Sequence, residues 1–426
     1  MAEYKKKKIT SRSKPHKSSV KRTHDSYEEI EMRATRKRAG AKKSKPTKPE
    51  NTSFLKIRGF AISAAVLIFV IAVYLITYLL HPVGVLEYIS NSVATIGAGS
   101  YPISLHGGEP LQVNQKSNVY LVLSETNIEV FNNSGKTVLS SQHGFLQPVL
   151  KSSDVRFLVY DQGGKDLKLF NNNESLLSKK YDNEIIAANL SKNGTYAVAT
   201  RADGYQSQVI VTDKNENKIF EWYCADETIN SVALSDNGKN LIVSALKVTN
   251  GGFKTKVYIL NYNSAVPSYS FEYDEIVMSI EVNGNNRAVL AFGDKLEFIN
   301  LKNGQKTTSV SNYKINSFKR FGNKILTCSS LEANKNDIEI TLHKFDGSII
   351  HSFKFRSEID EASYYKGKFY ILSDSTLYQL SDKGEILMSS ECSFDTKKFV
   401  PTSSNSIIGI SYSRLNKYNL SNWEAN

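Results

Sequence analysis

The sequence predicts an all-β fold, a β-propeller of eight blades, preceded by one transmembrane helix and a disordered basic tail. Three observations predict it: an uncharged run from Gly59 to Leu80, short runs rich in Val, Ile, Tyr and Phe beyond it, and a polar turn that recurs about every forty residues. The expected boundaries are a tail at residues 1–58, a helix at 59–80, a stalk at 81–99 and a propeller at 100–426.

The tail carries the positive charge of the whole chain. The formal net charge is +12, and residues 1–58 hold 19 Lys and Arg against 6 Asp and Glu, whereas from Gly59 onward 35 basic and 36 acidic residues nearly cancel. With few apolar residues to form a core, the tail is expected to be disordered. Two roles remain open, attraction to anionic lipid at about 1 kcal/mol per basic residue and a topology signal alone. No nucleic-acid binding is expected, because no aromatic interleaving or recognisable fold accompanies the charge.

The uncharged run predicts a transmembrane helix, so the lipid bilayer is the first partner expected. Its 22 residues would span about 33 Å as a helix, enough for a hydrocarbon core of about 30 Å. Lys56 and Arg58 precede the run, whereas residues 81–84 contain no Lys or Arg. The positive-inside rule then predicts a cytoplasmic N-terminus and an extracytoplasmic domain in the cell envelope. A cleaved signal peptide fits less well, because 58 residues precede the run.

The recurring polar turn predicts the blade count. A period near forty residues with three or four short strands in each unit is typical of a β-propeller. Eight turns predict eight blades, and seven blades with an irregular first unit is the alternative. Successive turn centres lie 37 to 48 residues apart, at Gly135, Asn173, Glu216, Ser264, Gly304, Gly347, Gly384 and Ser421.

The last unit indicates how the ring closes. It runs from about Lys398 to Leu420 and ends where its outer strand should begin. Because proteins avoid leaving open strand edges, we expect the segment SYPISLHG, residues 100–107, to supply that strand and close the ring.

Cysteine spacing gives no metal or redox site. Cys224, Cys328 and Cys392 lie far apart without a C-x-x-C pair. One disulfide with one free thiol is possible in an exported domain, and three small buried apolar side chains is the favoured interpretation. The sequence predicts no metal and no cofactor.

The usual enzyme motifs are missing: there is no G-x-S-x-G, G-x-x-x-x-G-K-[ST], H-E-x-x-H or G-x-G-x-x-G. Four short segments contain residues that could form sites, and turns or loops are favoured for all of them. The first two are His106-Gly107-Gly108, which has the composition of an esterase oxyanion loop, and residues 161–166, whose two aspartates could bind Ca²⁺. Neither carries the further ligands or the nucleophile that such sites need.

The other two segments lie at expected loops. His143-Gly144, followed by Pro148, is interpreted as a crossover between blades. Glu358, Asp360 and Glu361 cluster ahead of two tyrosines, and they could line the channel or a face, although a solvated loop is favoured.

Several segments carry a family resemblance. SVALSDNGKNLIVSA resembles the WD40-like and quinoprotein-like propellers of bacteria, but no recurring tryptophan motif for a quinone is present. GSYPISL, SSQHGFLQPVL, LVYDQGGKDLKLF and IFEWYCADETINSVALS, in that order after a basic tail and one apolar helix, resemble a family of Gram-positive bacterial membrane proteins known only as a domain of unknown function. The resemblance implies the fold and single-pass topology but no activity and no site residues.

The sequence therefore favours a noncatalytic protein-interaction, scaffold or sensor module at the bacterial cell envelope, because a rigid ring offers variable loops on two faces. The alternative is a glycan-binding protein, or a hydrolase or lyase with carboxylates at the propeller mouth. The expected partners are the bilayer and an envelope protein or glycan.

Overall fold

The computed structural model describes the backbone of residues 52–80, 83–116, 118–249, 251–331 and 334–422, and the side chains of the same residues except 52–59, 77–80, 334 and 335. The chain divides into two units, residues 1–64 and residues 65–426. The described residues of the first unit form the N-terminal part of helix α1, Thr52–Leu80. The second unit contains the rest of α1, a short helix α2, Val85–Ala94, and the strands.

Helix α1 begins at Thr52, seven residues earlier than the helix predicted from Gly59. Most of the predicted tail, residues 1–51, lies outside the described residues. The large apolar side chains described in α1, from Phe60 to Ile76, are exposed. Among the described residues, no helix is both long enough and apolar enough to cross a membrane. The transmembrane span at residues 59–80 stays a prediction.

The described strands of the second unit form eight antiparallel sheets, each built mainly from four strands that follow one another in the chain. The first strand of each sheet is called its inner strand and the fourth its outer strand. Blade 1 contains β2 (Pro110–Gln115), β3 (Val119–Ser124), β4 (Asn127–Asn132) and β5 (Thr137–Gln142). Blade 2 contains β6 (Pro148–Ser152), β7 (Phe157–Asp161), β8 (Asp166–Phe170) and β9 (Ser175–Lys180). Blade 3 contains β10 (Ile185–Leu190), β11 (Tyr196–Ala202), β12 (Tyr205–Thr212) and β13 (Lys218–Cys224). Blade 4 contains β14 (Thr228–Leu234), β15 (Asn240–Thr249), β16 (Gly252–Asn261) and β17 (Tyr269–Tyr273).

The second half of the ring repeats this order. Blade 5 contains β18 (Ser279–Asn283), β19 (Arg287–Ala291), β20 (Lys295–Asn300) and β21 (Lys306–Val310). Blade 6 contains β22 (Lys314–Phe321), β23 (Lys324–Leu331), β24 (Asn334–Lys344) and β25 (Ile349–Phe355). Blade 7 contains β26 (Glu361–Tyr365), β27 (Lys368–Ser373), β28 (Thr376–Leu380) and β29 (Ile386–Glu391). Blade 8 contains β30 (Lys398–Pro401), β31 (Ser406–Ile410) and β32 (Arg414–Asn419), together with β1 (Ile103–Ser104). The fold is an eight-bladed β-propeller, which confirms the predicted count over seven.

The predicted ring closure is also confirmed. Strand β1 is the outer strand of blade 8, where Ile103 pairs with Leu415 and Ser104 with Arg414. The sequence did not predict a further strand at the end of the chain, β33 (Ser421–Asn422), which pairs with β29 and gives blade 7 a fifth strand.

The core lies between the blades. Among the described residues, eight apolar clusters occur, and each joins two neighbouring blades, so that every blade–blade interface has one. Strands β3 and β4 in the middle of blade 1 are buried at all six positions, because other blades cover both sides of the sheet. The outer strand β5 is mostly half-buried or exposed. Burial of apolar surface between blades therefore stabilises the ring.

The recurring polar turn marks the same place in blades 1 to 7, whereas the eighth predicted centre, Ser421, lies in strand β33 and not in a turn of blade 8. From Gly135 to Gly384, the predicted centres fall between the third and the outer strand of successive blades. Gly384 has a φ of 85°, and a Cβ there would lie 2.5 Å from the Phe353 ring of the preceding blade. Glycine is needed at this turn both for its backbone conformation and for the close approach of the neighbouring blade.

Helix α2 lies in the segment predicted to be a stalk, and it packs on the propeller. Val83 and Val85 are buried. Both Glu87 carboxylate oxygens accept hydrogen bonds from the Arg156 guanidinium, at 2.8 and 2.9 Å. The Asn91 Oδ1 atom accepts the backbone N–H of Asn172 at 2.7 Å. These contacts fix α2 against the loops of blade 2.

We predict that His343, in β24, makes the protein less stable in acid. Its ring is buried, its Nδ1 atom has no hydrogen-bond partner, and burial lowers its pKa to about 4. An unfolded chain binds this proton at a pKa of about 6.5. The free energy of unfolding should therefore fall as the pH drops from about 6.5 to about 4. The complete contribution of His343 to this fall is about 3 kcal/mol.

Urea unfolding across this pH range tests the His343 prediction. The loss of unfolding free energy in acid should be smaller in His343→Leu than in the wild type. The control is His351→Leu, at a half-buried histidine on the neighbouring strand, and its loss should equal that of the wild type. Equal acid losses in the wild type and His343→Leu would contradict it.

Candidate functional site

The loops of the propeller divide between two faces. We call one the acidic face; it is formed by the loops between the second and third strands of each blade and by the crossovers between blades. The other loops form the helix face, on which α2 packs. Among the described loop residues, the acidic face carries fourteen carboxylates and three cations. The carboxylates are Glu109, Glu125, Asp182, Glu184, Asp203, Asp226, Glu227, Asp274, Glu275, Asp294, Glu358, Asp360, Asp374 and Asp395, and the cations are Lys165, Arg356 and Lys397.

The helix face is nearly balanced by comparison. Its described loops carry nine cations and eight carboxylates. The cations are Lys116, Lys136, Arg156, Lys192, Lys214, Lys239, Lys302, Lys366 and Lys383, and the carboxylates are Asp154, Glu174, Asp213, Glu216, Asp236, Asp346, Asp382 and Glu385. The negative charge of the loops is therefore concentrated on one face.

Part of this charge is compensated by cations on the neighbouring strands. Asp226 pairs with Lys247 at 3.2 Å, and Glu184 pairs with Arg201 at the same distance. Glu227, Asp274 and Glu275 also have lysine partners. Apart from the pair of the buried Glu227, these pairs are at the surface, where each contributes only about 0.2 to 1 kcal/mol. The acidic face keeps an excess of carboxylates over the cations of its own loops.

Exposed apolar side chains accompany the charge. Leu146 is 92% exposed and Phe394 is 88% exposed, both in crossovers between blades. Others at the ends of strands or in loops of the acidic face are Val248, Ile276, Met278, Val310, Leu331 and Tyr412. Large apolar groups that stay in water are favourable to bury against a partner. The acidic face thus combines charge with apolar anchors.

A cavity of about 730 Å³ opens on the acidic face beside blades 6, 7 and 8. Glu358 and Asp360 reach it from the crossover loop before β26, and Glu361 is the first residue of that strand. Lys319 on β22 and Lys398 on β30 line it as well. The cavity collects opposite charges from the inner strands of three blades.

Glu361 is the centre of the charge arrangement in this cavity. One of its carboxylate oxygens pairs with the Lys319 ammonium, and the other accepts a hydrogen bond from Lys398 at 3.2 Å. Burial, together with the nearby Lys398 charge, lowers the pKa of Lys319 to about 8. Burial raises the pKa of Asp360 above its ordinary value. The cavity therefore holds a carboxylate bound by two lysines beside a carboxylate that accepts a proton more readily than usual.

We predict that Lys319 reacts with amine reagents ahead of ordinary lysines. At about pH 8 a lysine with a pKa near 8 is half deprotonated, against less than about one-hundredth for a lysine of ordinary pKa. Acetic anhydride at limiting concentration, followed by peptide mass spectrometry, should show modification of Lys319 before that of an exposed lysine such as Lys383.

Glu361→Gln provides the matched variant for this reaction. It removes the negative charge that favours the ammonium form, so Lys319 should react faster still. If Lys319 is modified no sooner than Lys383 in the native protein, the prediction is wrong.

The structure places the segment His106-Gly107-Gly108 in the loop between β1 and β2, the strand-ending turn that the sequence favoured. The exposed His106 ring has its Nδ1 atom 3.4 Å from the buried Glu129 carboxylate. Ser140 donates to that same carboxylate at 3.3 Å. A hydrolytic triad needs its serine bonded to the imidazole, so these three residues do not form one.

The structure places His143-Gly144 in the crossover between blades 1 and 2, as predicted. The His143 ring is buried, its Nε2 atom bonds to the carbonyl of Ser124 at 3.0 Å, and burial lowers its pKa. Its Nδ1 atom accepts the backbone N–H of Phe145. Both ring nitrogens are used to hold the crossover.

The segment from Asp161 to Asp166 is the predicted hairpin, here between β7 and β8. Asp161 Oδ1 accepts the backbone N–H groups of Leu146 and Gln147, at 3.1 and 2.8 Å, so this carboxylate fixes the adjacent crossover. No cluster of metal-binding side chains occurs among the described residues.

All three cysteines are free, and Cys224 and Cys328 are buried as the favoured interpretation expected, whereas Cys392 is half-buried. Burial raises the pKa of Cys328, which lines the cavity, to about 12. Its thiol therefore stays protonated.

Sequence reasoning found one side of the cavity and missed the other. It singled out Glu358, Asp360 and Glu361 but favoured a solvated loop, and the structure shows that they line the cavity. It did not find Lys319 or Lys398, which lie on other blades. They occupy different positions in their strands, the sixth residue of β22 and the first of β30, so the sequence does not mark them as neighbours.

Comparisons with known proteins identify the sequence family and the fold. Residues 106–420 match the sequence model described as Family of unknown function (DUF5711). No curated protein matches the chain. The structure is similar to the crystal structure of Saccharomyces cerevisiae Sqt1, with a TM-score of 0.53 and 10% identity over 77% of this chain and 100% of that chain. It is also similar to BamB from Moraxella catarrhalis, with a TM-score of 0.48 and 10% identity over 76% and 99% of the two chains. At such identity the likeness to Sqt1 shows the fold alone.

Proposed function

The chain belongs to DUF5711, a family of unknown function, and from that premise we propose that it is a noncatalytic interaction module whose acidic face docks a protein partner. One observation carries the proposal: the negative loop charge and the exposed apolar side chains occur on the same face. Protein interfaces combine apolar anchors with a polar rim. The partner should present Lys and Arg around an apolar centre, because complementary charge speeds encounter and selects the partner.

Tethering to the bacterial cell membrane is the second part of the proposal. Residues 59–80 contain no charged side chain, and Lys56 and Arg58 precede them. This pattern supports a single span with a cytoplasmic N-terminus and an extracytoplasmic propeller in the cell envelope. The basic tail would then lie at the inner leaflet, where anionic lipid attracts it.

Cross-linking in intact cells tests the docking face. The full-length protein is purified and the attached proteins are identified by mass spectrometry. The variant Leu146→Ser/Phe394→Ser removes the two most exposed apolar anchors of the acidic face. We expect a reproducible partner in the wild type and its loss from this variant.

A matched control variant lies on the helix face. Val266 is an exposed apolar residue in a loop of that face, and Ile349 is an exposed apolar residue directly after another such loop. The variant Val266→Ser/Ile349→Ser should retain the partner. If both double variants retain the same cross-links, the acidic face is not the docking surface. Loss from both would mean that docking does not depend on this face in particular.

A glycan-binding or glycan-cleaving function is the second candidate, and the cavity favours it. Glycosidases use two carboxylates, one of which donates a proton. Asp360, with its raised pKa, suits the donor, and Glu361 is the second carboxylate. Incubation with purified cell-wall polymer should release reducing ends with the wild type and not with Asp360→Asn. Retention of the polymer without release of reducing ends would support glycan binding alone. The absence of both retention and release would exclude this candidate.

A further inference from the structure

Helix α2 turns its apolar side away from the propeller. Leu86, Ile89, Val93 and Ile96 are 81%, 49%, 59% and 70% exposed. Their spacing places them on one side of the helix and of the turn that continues it. We call these four residues the α2 stripe. A helix that only had to cover the propeller would place this stripe inward and its polar residues in water.

Specific polar contacts hold the helix in this orientation. Glu87 and Arg156 form a two-point ion pair that is largely buried. At the other end, the Lys136 ammonium donates to the carbonyls of Ala94 and Ile96, at 3.0 and 2.7 Å. A cation at a helix C-terminus stabilises the helix. Because the polar contacts lie on the propeller side, the α2 stripe cannot turn inward without breaking them.

The position of α2 in the chain identifies what covers the stripe. Helix α1 ends at Leu80 and α2 begins at Val85. Five residue steps span at most about 17 Å. If the uncharged run crosses the membrane, α2 must begin close to the membrane surface.

We propose that α2 lies in the headgroup region of the bilayer, with the α2 stripe facing the acyl chains. The inference rests on the proposed membrane tether. Interfacial helices bury an apolar side about 5 to 10 Å deep while their polar side stays outside the lipid. Here the polar side is occupied by the propeller, so the helix face lies against the membrane and the acidic face points away from it.

A lipid surface fits the stripe better than a second copy of the chain. A stable protein interface uses about 20 to 30 residues on each side, whereas this stripe has four. Lipid needs no complementary surface of fixed shape. The stripe is also continuous in sequence with the exposed apolar side chains of α1.

Depth-dependent fluorescence quenching of the full-length protein in phosphatidylcholine vesicles tests the inference. Single cysteines are introduced by Ile89→Cys and Val93→Cys and labelled with an environment-sensitive fluorophore. Cys392→Ser removes the half-buried native thiol, and Cys224 and Cys328 are buried. Ile71→Cys in α1 and Leu146→Cys on the acidic face are the deep and the distant references.

We expect labels at positions 89 and 93 to emit at shorter wavelength than the label at 146 and to lose intensity with lipids that carry a nitroxide near the headgroup. The label at 71 should be quenched by a nitroxide deep in the acyl chain. If position 71 is quenched but 89 and 93 behave like 146, the tether stands and the inference about α2 is wrong. If position 71 is not quenched either, the tether itself fails. A wavelength shift at 89 and 93 without lipid quenching would indicate contact with a second copy of the chain and overturn the proposal.

Discussion

A disulfide between positions 104 and 414 should stabilise the propeller by about 2 to 4 kcal/mol. Ser104 and Arg414 face each other where β1 closes blade 8, and both are exposed. The adjacent hydrogen bond, from the Leu105 N–H to the Ser413 carbonyl at 2.9 Å, makes them a non-hydrogen-bonded pair with Cα atoms about 4.5 Å apart. That separation is within the range of disulfides, and the bond would join the two ends of the whole ring.

Thermal unfolding of Ser104→Cys/Arg414→Cys, in the Cys392→Ser background, measures this gain. The oxidised protein should unfold at a higher temperature than the same protein after reduction, and each single cysteine variant should resemble the reduced form. If mass spectrometry shows the disulfide and the two forms still unfold together, separation of β1 from β32 is not part of unfolding.

Replacing Tyr120 with alanine should cost about 3 to 5 kcal/mol, as for other large aromatic side chains in a core. Tyr120 is fully buried where blades 1 and 8 meet, and its ring stacks on Phe131 at 5.5 Å between centroids. Its hydroxyl bonds to that of Tyr101 at 2.8 Å. The substitution leaves a cavity at the interface between blades 1 and 8, which closes the ring. It also removes the hydrogen-bond partner of the Tyr101 hydroxyl.

Urea unfolding of three variants separates the packing from the hydrogen bond. Tyr120→Phe keeps the ring and should cost about 1 kcal/mol. Tyr205→Ala, at an exposed tyrosine, should change stability by less than about 0.5 kcal/mol. A similar small loss in Tyr120→Ala would show that the closing interface does not limit stability.

The sequence allowed the ring to be predicted because one physical requirement recurs in seven of the eight blades. Each of blades 1 to 7 needs a polar turn between its third and outer strands, and residues such as Gly135 and Gly384 mark that turn at regular intervals. The closing strand followed from the unit that ended early near Leu420. These features depend on local backbone geometry, which the sequence records directly.

The candidate site could be predicted only in part, because its residues meet across blades. Glu361 and Lys398 begin the inner strands of two blades, Lys319 lies within the inner strand of a third, and no local spacing links them. The charge from Gly59 onward is close to neutral, which concealed the acidic face. The carboxylates are concentrated in the loops of the acidic face. This can be recognised only after each loop has been assigned to one of the two faces.

Helix α2 shows a different limit. The apolar residues at 86, 89 and 93 are spaced as in a helix, but the segment is short and follows the longer uncharged run. Its orientation depends on Arg156 and Asn172, about seventy to eighty residues away in the chain. The sequence contains the helix signal but not the contacts that turn its apolar side outward.

The contacts that hold α2 also determine how the propeller carries mechanical load. Tension on the N-terminal side of the domain passes along the chain to α2 before it reaches β1, which follows α2 in sequence and pairs through two residues only. The Glu87–Arg156 pair and the Lys136 contacts must shear before the closing strand is pulled. If the protein is tethered and bound as proposed, tension between the membrane and the partner would therefore release α2 first, while the ring remains closed.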